Sequence, residues 1–151
     1  MIRRVGVGAI VTTAFTTPQV LDYALWFARS WLTADAGGTA VALTGSNGKH
    51  RTSLASVTSA EMRVATTTGL TAGARTLDTN DMSLVGGFSA GAAVGTPIPP
   101  AQNNLFSHDT GDHPLIVAQN EGIVIAPFTV MGAGGAVSVY INIEFAEVTS
   151  Y

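Results

Sequence analysis

The stretch GIVIAPFTVMGAGGAVSVYINIEFAEV, residues 122–148, decides the fold. It carries no charged side chain before Glu144. A membrane helix needs about twenty apolar residues in one unbroken helix. Here Pro127 removes a backbone donor, and Gly132, Gly134 and Gly135 place a flexible turn mid-way. The second half alternates instead. Val137, Val139, Ile141, Ile143 and Phe145 share one parity, and Ser138, Tyr140, Asn142 and Glu144 share the other. Successive side chains of a strand point to opposite faces, so this is one apolar face and one wet face. Glu147 then falls on the apolar parity, which places a bulge or the strand end near Phe145. The segment reads as a closing β-hairpin, with strands over 123–131 and 136–148, and not as a membrane span.

The same period recurs upstream. MIRRVGVGAIVTTAF opens with two arginines and an apolar run, as a signal peptide does, but Gly6 and Gly8 interrupt it and no Ala-x-Ala site follows. It reads as a first strand. In residues 16–38, Thr17-Pro18 and Gly37-Gly38 could bracket a helix. Leu21, Tyr23, Leu25, Phe27 and Trp31 also fit period two, with Arg29 as the exception, and aromatics favour strands. The strand reading agrees with its surroundings.

Further expectations follow in order. Asn47-Gly48 signals a hairpin. Strands are expected over 61–68 and 82–88, with a loop over 71–81. Residues 91–107, with Pro97, Pro99 and Pro100, read as a long connection. LIVAQ at 115–119 and a turn at 120–122 lead into the last two strands. The sum is a single all-β domain over 1–151, an antiparallel β-sandwich or jelly roll of about eight strands with little or no helix.

Charged residues make up 11% of the 151, against about 25% in ordinary soluble domains. A surface so poor in charge is economically explained by contact with copies of itself or with a partner. A Thr- and Ser-coated monomer is the simpler alternative. There are no cysteines, so disulfides and thiolate chemistry are excluded. All seven cations lie at or before Arg75, and seven of the ten acids lie after it. Such scattered cations make no nucleic-acid face. Opposed halves could attract across a subunit contact; equally, strands from the two halves could interleave and mix the charges.

Motif-like stretches are weak. GFSAG, residues 87–91, matches the nucleophile elbow G-x-S-x-G, with Asp109 or Asp112 and His113 following in triad order. The elbow needs a strand before it and a helix after it, and AAVGTPIPP makes no useful helix. His108, Asp109, Asp112 and His113 could ligate a divalent ion, but Asp-x-Gly-Asp is ordinary turn chemistry. Gly6-Val7-Gly8 lacks the third glycine of a dinucleotide fingerprint. No catalytic, cofactor-binding or metal residue is therefore expected. Trp26 and Trp31 sit on an aromatic strand, which suits core or subunit contact, or a sugar-stacking platform. Tyr140 and Asn142, on the wet face of the last strand, are the other candidate contact residues.

Three segments carry a likeness. TGLTAGARTLDTN (68–80), HPLIVAQNEGIVI (113–125) and MGAGGAVSVYINIEFAEV (131–148) resemble small virion structural proteins of tailed bacteriophages. Their late part shares a His-Pro-Leu strand, a Gln-Asn-Glu-Gly turn, a Gly turn and an alternating last strand ending in an acid and Val. The likeness covers mainly the last two thirds and brings no catalytic residues. It implies a non-enzymatic virion protein assembled in the host cytoplasm. The expected role is capsid decoration or cement, with a tail, adaptor or head-fibre component as the other placement. The implied partners are further copies of the chain, as a trimer for instance, and the major capsid protein or another virion protein. No nucleic acid and no membrane is implied.

Overall fold

The computed structural model describes residues 1–43, 49, 53, 60–66, 68–89, 94–95, 104–108 and 113–147, with the backbone alone for 87–89. Eleven strands and no helix occur among them. Two long ones, β1 (Ile2–Thr13) and β2 (Gln19–Trp31), are the central strands of two antiparallel sheets. In the first sheet, β1 lies between β11 (Ala136–Phe145) and β9 (Asn104–Ser107). In the second, β2 has β10 (Gly122–Pro127) on one side. On its other side it pairs with both β7 (Arg75–Leu77) and β8 (Ser83–Ser89). Met82 and Asp78 bond back to Leu25 and Phe27, so residues 78–82 bulge out of an otherwise continuous edge. Two short ladders, β3 (Ala36–Gly37) with β6 (Leu70–Thr71) and β4 (Thr39–Ala40) with β5 (Arg63–Val64), complete the set.

The apolar faces of the two sheets meet in one core. Val5, Val7, Ala9 and Val11 of β1 face Leu21, Tyr23 and Leu25 of β2, joined by Phe15, Val85 and Leu105. This is the β-sandwich expected from the alternation, and residues 19–31 are strand, as the period-two reading required. β11 ends at Phe145, where its parity breaks. Asn120 adopts a left-handed φ of 62° at the expected turn before β10.

Five expectations need correction. The closing pair is not a hairpin: β10 pairs with β2, and β11 pairs with β1, so residues 128–135 carry the chain from one sheet to the other. Asp22, buried in β2, holds this crossover. Its carboxylate accepts from the Thr129 amide at 2.7 Å and the Thr129 hydroxyl at 2.6 Å, and its carbonyl accepts from the Phe128 amide. The connection over 91–107 contains a strand, β9, and the loop over 71–81 contains β7. Among the described residues, 61–68 supply only the two residues of β5, and 115–119 only a bridge from Leu115 to Ile2. Asn47-Gly48 lies outside the described residues.

The two charge halves interleave within one chain. Arg3 pairs with Glu144 across β1 and β11 and Arg29 with Asp78, whereas Arg75 pairs with Asp35 inside the first half. In the last pair Asp35 is buried and Arg75 half-buried. Asp35 also accepts from the Gly73 amide, and the Arg75 guanidinium lies 5.0 Å from the Trp31 ring centre.

Candidate functional site

Alternation along β2 leaves Ala24, Trp26 and Ala28 on the face turned away from the core, beside Asp22. Their cross-strand neighbours share that face: Leu84 and Ala126 flank Ala24, Val124 lies opposite Trp26, and Leu77 and Gly122 flank Ala28. Phe128 stacks on Trp26, with ring centres 6.3 Å apart and planes 11° from parallel. Trp31 covers Gly122 so closely that a Cβ there would overlap the indole. The outer face of the second sheet is thus almost wholly apolar. The Asp22 carboxylate on this face is buried and bonded to Thr129. Ala24 and Ala28 are fully buried among these larger side chains, and the exposed part of the face is Phe128, at 53%, with Leu84, at 49%, and Leu77.

The outer face of the first sheet is different. There Arg4, Gly6 and Gly8 of β1 lie beside Glu144, Asn142 and Tyr140 of β11, and Gly6 lies beside Asn104 of β9. The missing side chains leave a cleft of about 370 Å³ over β1, lined by Arg4, Gly6, Gly8, Asn104, Tyr140 and Asn142 together with Val7 and Ile141. Tyr140 is 63% exposed. Arg4 Nε donates to Asn104 Oδ1 at 3.1 Å across the cleft.

The four residues singled out in the sequence therefore fall into two groups on opposite outer faces. Trp26 and Trp31 belong to the apolar face, Tyr140 and Asn142 to the cleft. Neither indole is an open platform, since one is stacked under Phe128 and the other lies beside Arg75 and over Gly122. The apolar face has a signal in the sequence. VLDYALWFA and GIVIAPF are apolar on both parities, which marks strands covered on both sides. The cleft had a signal too: VGVGA puts bare glycines on one parity and valines on the other.

Of the elbow-like stretch, Gly87 and Ser89 are still laddered to Leu21 and Gln19 of β2. The sharp turn that a nucleophile elbow requires is not at Ser89. Of the His–Asp stretch, Asp109 and Asp112 lie outside the described residues. His108 donates its amide to the Arg3 carbonyl, and its Nδ1 is buried with no partner among the described residues. No cluster of three His, Asp or Glu side chains that could hold a metal occurs among the described residues. No helix there is long and apolar enough to cross a membrane.

Comparison with protein-family models, with curated proteins and with solved structures gives no match. The phage likeness rests on the three sequence segments quoted above.

Proposed function

We propose that this chain is a structural component of a bacteriophage particle, a capsid decoration or cement protein that works by covering surface rather than by catalysis. One observation carries the assembly half of the reading: the apolar outer face of the second sheet, centred on Trp26, Leu84 and Phe128. Single exposed apolar residues are ordinary, but a contiguous apolar sheet face marks a contact surface. At about 25 cal/mol per Å² of apolar area, covering such a face supplies the drive for association. The particle setting comes from the resemblance.

In this reading copies of the chain bury the apolar face against one another, and the assembled unit sits on the capsid lattice. Expansion or rupture of the shell must then break many contacts at once, and copy number supplies avidity. The major capsid protein is the proposed partner. The test is the copy number of the chain in purified particles, measured against the major capsid protein. A ratio near one per capsid subunit, or a simple fraction of it, supports decoration. A few copies per particle would move the chain to the tail, an adaptor or a head fibre. Absence from particles would remove the virion reading altogether.

A further inference from the structure

We propose that the cleft on the outer face of the first sheet binds a glycan, with a sugar ring resting against Tyr140 and its hydroxyls bonded by Asn104, Asn142 and Arg4. The proposal goes beyond the assembly reading and uses the opposite face of the sandwich. Four features point to it. The volume of about 370 Å³ lies at the small end of ligand clefts, roughly 300–1,000 Å³. Its floor is bare: no described atom comes within 4 Å of where a Gly8 Cβ would sit. Tyr140, directly opposite Gly8, lines the cleft without coming within 4 Å of that position. An exposed phenol ring offers an apolar face with a polar tip, which suits the C–H face of a pyranose flanked by hydroxyls.

The polar set is complementary to vicinal hydroxyls, each of which both donates and accepts. Arg4 Nε occupies Asn104 Oδ1, which fixes the amide and leaves Asn104 Nδ2 as a donor with no partner among the described residues. The Arg4 Nη groups add donors, and Asn142 Oδ1 adds an acceptor on the other wall. All of these sit on paired strands, so little ordering is needed on binding. Other ligand classes fit less well. Arg4 is the only cation among the lining residues, too few for a nucleic-acid backbone. The rim of amides and guanidinium does not suit a lipid chain.

The test uses the whole chain, isotope-labelled, titrated with neutral hexoses, N-acetylhexosamines and hexuronates up to ~10 mM, since one sugar on an open cleft binds with Kd on the order of 1 mM. Saturating amide shifts at Gly8, Asn104, Tyr140 and Asn142 are expected with at least one of these sugars. Loss of one aromatic contact weakens binding by up to about tenfold, so Tyr140→Ala should raise Kd to that extent. Gly8→Val fills the floor where nothing stands in the way, and should abolish binding with an unchanged melting temperature. Three results would each overturn the proposal. They are no shift with any sugar, shifts confined to the Trp26 and Trp31 side, or sugar binding that both variants leave intact. A fourth is a change in the solution mass of the chain on Tyr140→Ala, which would make the cleft a subunit contact.

Discussion

Replacing Tyr23 by Phe probes the core with two independent readouts. Tyr23 lies mid-way along β2, is 2% exposed, and points into the contact between the sheets. Its hydroxyl is buried and has no hydrogen-bond partner among the described residues. A buried polar group left without a partner costs about 1–3 kcal/mol. Phe keeps the ring and removes the unpaired oxygen, leaving only a small gap. The expected net result is stabilisation by about 1 kcal/mol at pH 7, which raises Tm by roughly 2–4 °C in a chain of this size. The second readout is alkaline. Burial, and secondarily the Asp22 carboxylate beside it, pushes the Tyr23 phenol up from 10.0 to about 12. Above pH 10 the unfolded chain has lost this proton while the folded chain still holds it. Unfolding therefore releases a proton, and the contribution of Tyr23, whole below pH 10, is lost as pH rises through 12. A shift of this size corresponds to about 2–3 kcal/mol. Tyr23→Phe removes that loss, so the advantage of the variant should widen between pH 10 and 12. Urea unfolding followed by tryptophan fluorescence from pH 7 to 12 measures both effects. A variant less stable than the parent by more than about 1 kcal/mol at pH 7 would show that the hydroxyl has a partner. Parallel stability curves above pH 10 would refute the alkaline reasoning.

The crossover between the sheets gives a second test. Asp22→Ala removes two hydrogen bonds to a carboxylate and should cost about 2–3 kcal/mol, while Asp22→Asn should cost less than half of that. In a double-mutant cycle with Thr129→Ala the two sites should couple by about 1–2 kcal/mol; additivity would mean that Asp22 does not hold residues 128–135. Arg75→Ala strands the buried Asp35 carboxylate and should destabilise by about 3–5 kcal/mol in chemical denaturation. Adding Asp35→Asn to that variant should recover part of the loss, because the amide oxygen can still accept from Gly73; no recovery would contradict the pairing.

Much of the architecture was legible because alternation is a local signal. Val5 to Val11 of β1, Leu21 to Phe27 of β2 and Val137 to Phe145 of β11 show their faces in the sequence. What the sequence left hidden was pairing. A hairpin and a sheet-to-sheet crossover use the same Gly-rich turn chemistry, and the partners of β10 and β11 lie about a hundred residues or more away in the chain. The eight residues over 128–135 were the available hint, since hairpin loops usually run to about 2–5. β9 was missed because its four residues, Asn104–Ser107, are too short to display a period. The candidate residues were legible as types only. That Trp26 and Tyr140 face opposite ways depends on which sheet each strand joins, which is a long-range property.

The central claim is that the apolar outer face around Trp26, Leu84 and Phe128 is covered by further copies of the chain. The most direct measurement is the mass in solution by light scattering, for the parent chain and for Leu84→Lys combined with Phe128→Lys. Both positions are half-exposed, so the substitutions should not disturb folding. The account predicts a parent mass that is a whole multiple of 15.5 kDa and a variant at 15.5 kDa with an unchanged circular dichroism spectrum. A parent chain that stays at 15.5 kDa at every concentration, or an oligomer that the two lysines leave intact, would contradict it.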